Sequence, residues 1–187
     1  MKEDADFLSR LKIKLEETGI PYMVTGSLAS SYWGVPRTTN DADLLIAPTL
    51  NQLNFFVDSL RDGYYVSSEA AREAFHSQTM FNVIDEETGW KADLIVRKSE
   101  KFDKSRFERK TLGRIFDIPI YVSSPEDVIL SKLTWAKSSD SEQQIKDATG
   151  IIAIQKDKLD YDYLHRWAVE IEVEALLNRV IDEAAKT

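Results

Sequence analysis

An α+β (α/β-like) fold is predicted: a small mixed sheet with flanking helices, followed by a C-terminal helical annex. Three observations predict it. Short apolar runs bounded by Gly, Pro and Asp recur between residues 22 and 122, as strands do. Stretches with helical spacing or helix-start signals lie between them. From Ser124 onward the pattern is helical throughout. The change near Ser123 divides the chain into a core of residues 1–123 and an annex of residues 124–187 packed on the core, with no Gly/Ser or Pro linker between them and no repeats.

Phe7, Leu8, Leu11, Ile13 and Leu15 alternate with charged residues before Gly19 and Pro21, which predicts an opening helix over about 4–17. Tyr22-Met23-Val24-Thr25 reads as a short buried strand. Ser27 to Trp33 follows as a helix that Gly34-Val35-Pro36 ends. Asp43 to Ala47 is apolar enough to be a central strand. Leu53, Phe56, Val57 and Leu60 give a helix begun by Pro48-Thr49. Tyr64-Tyr65-Val66 is a brief strand, and Ser68 caps a short helix over Glu69 to Phe75.

Met80–Ile84 and Trp90–Val96, separated by Asp85-Glu86-Glu87-Thr88-Gly89, read as a hairpin. Residues 97–110 form a basic helix holding seven bases against three acids. Ile115 to Val122 is a last strand or strand pair. Ser124-Pro125-Glu126-Asp127 starts a helix, with proline in the first turn and acids near the positive end of the dipole. Helices follow over 127–136, 142–155, 161–171 and 173–185.

The chemistry concentrates between Val24 and Ile46. A strand stops at Gly26, a helix begins at Ser27, and a second strand opens with Asp41 and Asp43. Two residues apart in a strand, those carboxylates project from one face. Like charges held side by side are costly unless a cation or a proton lies between them. Oxygen-only ligands of this kind suit magnesium, which takes one or two carboxylates together with substrate phosphates. Gly26 allows close approach of a phosphate to the backbone, and the Ser27 hydroxyl with the N–H groups opening the helix can donate to it. Arg37, in the following loop, has the planar fork that matches phosphate. Each feature also has a plain structural reading. Gly26-Ser27 serves equally as a strand-to-helix turn with a serine cap, and Arg37 as an ion-pair partner of Asp41 or Asp43. Asp41 can cap a turn, with Asp43 and Asp93 paired to Arg37, Lys91 or Arg97.

Alternation in the second hairpin strand puts Lys91, Asp93, Ile95 and Arg97 on one face, so an acid sits on a strand otherwise built for the core. The helix after it has a local charge of +4 that leaves −12 on the remainder, a gradient suited to steering a phosphate-bearing substrate.

A hydrophobic residue, Gly26-Ser27, a spacer from Leu28 to Asn40, and Asp41-Ala42-Asp43 between hydrophobic residues resemble the signature of the DNA polymerase beta-like nucleotidyltransferase superfamily. Gly26-Ser27-Leu28-Ala29 with Pro36-Arg37-Thr38-Thr39-Asn40-Asp41-Ala42-Asp43 is most similar to its AbiEii-like abortive-infection toxin branch. The resemblance implies a nucleotidyltransferase core over residues 1–123. Its third metal carboxylate comes from the strand beside Asp-x-Asp, where Asp93 matches. On this reading Asp41, Asp43 and Asp93 hold two magnesium ions and a nucleoside triphosphate is the substrate, with Gly26, Ser27 and Arg37 at its phosphates. The branch also has an Ile-x-x-Lys helix followed by Lys-Asp, matched by Ile129, Lys132, Lys146 and Asp147. There the resemblance implies a role for Lys132 and Asp147 in activity, by holding triphosphate or aiding proton transfer. From its spacing alone Lys132 is a solvated lysine with a buried stem. The arginine that the branch places shortly before Lys-Asp is absent, Ser138 to Gln144 standing in its region.

Composition bounds the alternatives. At 187 residues, 43% hydrophobic and 30% charged, the chain supports a sizeable core. The absence of cysteine excludes disulfides, thiolate metal sites and thiol nucleophiles, and fits a cytoplasmic protein. The acidic Met1–Asp6 stretch is no secretory signal, and no apolar run reaches the ~20 residues of a membrane span. A net charge of −8 argues against coating nucleic acid. His76 and His165 are the only histidines, too few for a histidine metal site. The expected activity is transfer of a nucleoside monophosphate to a hydroxyl of RNA, protein or a small molecule, toxin-like by its branch and with a possible antitoxin partner. A binding module that has kept the fold and lost the reaction is the alternative, and a metal-dependent hydrolase ranks last.

Overall fold

Apolar runs of three to six residues form the strands β1 (Tyr22–Val24), β2 (Asp41–Ile46), β3 (Tyr64–Val66), β4 (Met80–Asp85), β5 (Lys91–Val96), β6 (Thr111–Ile115) and β7 (Ile118–Val122). The helices are α1 (Lys2–Glu17), α2 (Gly26–Trp33), α3 (Leu50–Ser59), α4 (Ser68–Ser77), α5 (Lys101–Glu108), α6 (Pro125–Ser139), α7 (Glu142–Gln155), α8 (Tyr161–Glu170) and α9 (Glu174–Ala184). These come from a computed structural model that describes residues 2–39 and 41–186. Asn40, the last residue of the spacer, lies outside the described residues, as does Met1 of the acidic N-terminal stretch.

The chain divides into two units, one of residues 1–25 and 39–122 and one of residues 26–38 and 123–187. Residues 123–187 make up most of the second unit. The helix after the first strand, however, groups with the C-terminal helices.

In the first unit the described strands make one sheet in the order β3-β4-β5-β2-β1-β7-β6. Parallel pairs β2/β5 and β1/β7 are flanked by antiparallel neighbours, so the sheet is mixed as predicted. Alternation along β2 and β5 sends Ala42, Leu44 and Ile46, with Ala92, Leu94 and Val96, into the core. Burying Leu44 stabilises by about 2 kcal/mol, and a one-residue slip would exchange it for Asp43. That penalty pins the register on which the carboxylates depend. α1 contributes Phe7, Leu8, Leu11 and Leu15 to the core, α3 contributes Leu53 and Phe56, and α4 contributes Ala71 and Ala74.

The other face of β2 and β5 carries Asp41, Asp43, Leu45, Lys91, Asp93 and Ile95. Phe107 of α5 packs there with Met23 and Leu45, and Ile95 joins them. The apolar end of this face is thus covered by an aromatic ring, while the charged end is not part of that cluster.

Local signals account for most element ends. Thr49 and Gln52 form a reciprocal capping box at α3. Ser124 caps α6 with Pro125 in its first turn. Several boundaries differ from the sequence expectation; the basic helix expected over 97–110 is the shorter α5, Lys101–Glu108. β2 begins at Asp41, ahead of its apolar run and with both carboxylates inside the strand, because β5 continues the ladder as far as Lys91. Ser67 rather than Ser68 caps α4. The segment 115–122 belongs to a β6–β7 hairpin turning through Phe116 and Asp117, both with positive φ.

In the second unit α2 packs against α6 and α7, and α8 and α9 complete the bundle. Trp33 Nε1 donates to the Ser123 carbonyl at 2.8 Å, and Gln155 Nε2 donates to the Trp33 carbonyl at 2.6 Å. A methyl group at Gly34 would lie 2.9 Å from Ile151 Cγ1 and 2.9 Å from its backbone nitrogen. Gly34→Ala is therefore expected to cost about 1–3 kcal/mol of unfolding free energy in urea titrations, by overpacking α2 against α7.

Candidate active site

Two sets of polar groups stand out, one in each unit. In the first, parallel pairing places Asp43 directly opposite Asp93 and Asp41 opposite Lys91. All four residues lie on one face. The Lys91 ammonium is 3.2 Å from Asp93 Oδ1, 3.3 Å from its Oδ2 and 3.8 Å from Asp41 Oδ1. Asn82, opposite Asp93 on β4, donates from Nδ2 to Asp93 Oδ1. Burial lowers the Lys91 pKa, but the hydrogen bond and charge of Asp93, with the charges of Asp41 and Asp43, outweigh it and raise the pKa above the ordinary lysine value. The backbone of Asp43 is held as well, its carbonyl accepting from the Thr25 N–H at 2.9 Å.

These residues fit magnesium by donor chemistry, since every acidic ligand is an oxygen and a cation, the Lys91 ammonium, is already drawn in among them. Among the described residues, no group of three His, Cys, Asp or Glu converges closely enough to hold an ion. Asp41, Asp43 and Asp93 share a face, but they are arranged around the lysine.

The second set belongs to α2, the loop after it, α6 and α7. Gly26 has φ +57°, a conformation that glycine adopts without strain. Arg37 donates from Nη2 to Ser27 Oγ at 2.6 Å and forks onto Asp147, Nε to Oδ1 at 3.2 Å and Nη2 to Oδ2 at 3.3 Å. The carboxylate partner of Arg37 is thus Asp147, which neither its phosphate reading nor its ion-pair reading names. Lys132 is buried, and its Nζ donates to Asp147 Oδ2 at 2.8 Å, so it is not the solvated lysine that its spacing suggests. The reason is α6 itself, which is buried on both sides of Lys132 through Ile129, Leu130 and Leu133.

Gln143, one turn before Asp147, donates to its Oδ1 at 2.8 Å, and Ser30 Oγ donates to Oδ2 at 3.4 Å. Burial raises the Asp147 pKa, but the donors Lys132, Arg37 and Gln143 outweigh it and hold the carboxyl below the usual aspartate value. A carboxylate with about four acceptor positions, meeting five donors, has no room left for a substrate proton. Asp147 organises Lys132 and Arg37 instead.

The structure therefore brings Asp41, Asp43 and Asp93 together in one unit, and Ser27, Arg37, Lys132 and Asp147 in the other, with Lys146 exposed. The sequence reading missed Asn82, Ser30 and Gln143. Of these only Gln143 was legible, being four residues before Asp147 on a predicted helix. A cavity of about 320 Å³ in the first unit, lined by residues including Phe75, His76 and Arg97, lies beyond the carboxyl ends of β2 and β5, away from the acids.

Comparison with solved structures assigns the fold. The solution structure of the antibiotic-resistance factor ANT(2″)-Ia matches 99% of this chain and 96% of its own, with a TM-score of 0.59 and 14% identity. An antigenic nucleotidyltransferase-like protein from Paracoccidioides brasiliensis matches 95% of this chain and 91% of its own, at TM-score 0.58 and 16% identity. The lincosamide antibiotic adenylyltransferase LnuA, lincomycin-bound, matches 82% of this chain and 98% of its own, at TM-score 0.53 and 13% identity. No protein-family model matches the sequence, and neither does any curated protein. The chain has the nucleotidyltransferase fold. Among the described residues, no helix is long and apolar enough to cross a membrane.

Proposed function

We propose that this chain is a magnesium-dependent nucleotidyltransferase that moves a nucleoside monophosphate from a nucleoside triphosphate to a hydroxyl group. The observation that carries the reading is the register of β2 and β5, which sets Asp93 opposite Asp43 with Asp41 on the same face. In the reaction the acceptor oxygen bonds to the α-phosphorus as the bond to the bridging oxygen breaks, and pyrophosphate leaves. Magnesium, when bound to the carboxylates, supplies the charge that draws the triphosphate to them. In the second unit Ser27 and Arg37 are the groups suited to phosphate, and Asp147 fixes the Arg37 guanidinium.

A small-molecule acceptor has the support of two fold relatives. ANT(2″)-Ia has been solved with adenylyl-2″-tobramycin, and LnuA with lincomycin. RNA or protein as acceptor, a toxin role and an antitoxin partner rest on the likeness of Gly26-Ser27-Leu28-Ala29 and Pro36 to Asp43 to the abortive-infection branch, and a cytoplasmic location on the absence of cysteine. The test is incubation with α-labelled nucleoside triphosphates and magnesium, offering aminoglycoside and lincosamide antibiotics, total RNA and the protein itself. Label transfer with pyrophosphate release is expected. No transfer beyond an Asp43→Ala control would leave a nucleotide-binding module, and orthophosphate in place of pyrophosphate would indicate a hydrolase.

A further inference from the structure

We propose that the Lys91 ammonium takes the place of one of the two cations expected at this site, so that the chain holds a single divalent cation, on Asp41 and Asp43. The inference rests on the metal-binding reading above and changes its stoichiometry.

Position 91 is fixed by the sheet. Lys91 is opposite Asp41 on the neighbouring parallel strand and two residues before Asp93, so its side chain shares their face. Its side chain is about one-third exposed, at 35%, and yet the ammonium reaches both oxygens of Asp93 and one of Asp41. Asp93 Oδ1 also accepts from Asn82, which the antiparallel β4 ladder holds opposite it. Both Asp93 oxygens are therefore engaged by donors of this chain, with which an ion bound to Asp93 would have to compete.

A second ion that used Asp93 would have to displace an ammonium already bound on the strand and share an oxygen with an amide donor. The unit positive charge is instead contributed by a covalently attached group, which loses no translational entropy on association. Three carboxylates and one ammonium leave two negative charges, the charge of one divalent cation. In this arrangement Asp93 is a positioning residue: it holds the ammonium beside Asp41 and Asp43.

Manganese, counted by electron paramagnetic resonance in the presence of a non-hydrolysable α,β-methylene triphosphate, provides the test. The wild-type protein is expected to bind one ion. Lys91→Met, which empties the ammonium's place, is expected to bind two, and Lys91→Arg, which keeps a cation there, one. Circular dichroism checks that each variant folds. Two ions in the wild type, or one in a folded Lys91→Met variant, would overturn the assignment of Lys91. If Lys91→Met does not fold, Lys91→Gln replaces it under the same two outcomes. Binding that Asp43→Asn leaves unchanged would instead overturn the metal reading itself, so the two failures are distinguishable.

Discussion

Asp43→Asn is expected to lower nucleotidyl transfer by about a thousand-fold or more while leaving the fold intact. The amide keeps the shape of the carboxylate between buried Ala42 and Leu44, and the backbone bond from Thr25 to the residue 43 carbonyl is untouched. What is lost is a negative charge directly across the sheet from Asp93. Because like charges are thereby relieved, the melting temperature in metal-free buffer should stay level or rise. Pyrophosphate release and a thermal scan on the same preparation check both halves. A melting temperature lowered by more than about 5 °C would mark Asp43 as a structural ion-pair partner whose loss of activity follows from unfolding. Asp41→Asn should behave similarly, since its 3.8 Å pair with Lys91 is at a half-exposed side chain and is worth at most ~1 kcal/mol.

Asp147→Ala should have the largest effect on stability, about 3–5 kcal/mol, because it strands the Lys132 ammonium in an apolar helix interface. Lys132→Met combined with Asp147→Leu should recover more than half of that loss, since it removes both charges and retains the volume. Urea titrations of the single and double variants measure the coupling. Additive losses would show that the ion pair is not what holds these helices. The same pair predicts a pH dependence. The folded Asp147 pKa lies below its unfolded value, so its stabilisation is complete above the ordinary aspartate range near ~4 and is lost as pH falls through the depressed folded value. Asp147→Asn should flatten the acid limb of a stability profile between pH 6 and pH 2. Parallel profiles for the two proteins would contradict this.

The candidate metal residues were legible because a strand has a period of two. Asp41 and Asp43 had to share a face, and Lys91 with Asp93 had to share another; that the two faces are the same followed only from β2 pairing with β5 in register. Asn82 was invisible, because its meeting with Asp93 depends on the pairing of the β4–β5 hairpin, and an asparagine at a strand position announces nothing. The β6–β7 turn was blurred for a related reason. Phe116 and Asp117 adopt positive φ without the glycine that usually marks such a turn.

The second unit was less readable. Lys132 was read as solvated because a lysine beside an apolar stripe usually is, yet α6 packs against α2, α7 and α8, and the lysine is buried there against Asp147. Arg37 donates to Asp147 from the loop after α2, a contact of 110 residues' separation that no local spacing encodes.

By itself, the order of the residues determined the alternation of strands and helices, the glycine-serine turn, the three acids, and the start of the helical region near Ser124, since periodicity, capping and backbone freedom act over a few neighbours. Tertiary structure alone decided which distant groups share a charge: the lysine that stands among the acids, and the carboxylate that gathers Lys132 and Arg37. Charges buried in a low-dielectric interior must find partners wherever packing brings them. Those partners are set by strand pairing and helix packing, which no local stretch of sequence contains.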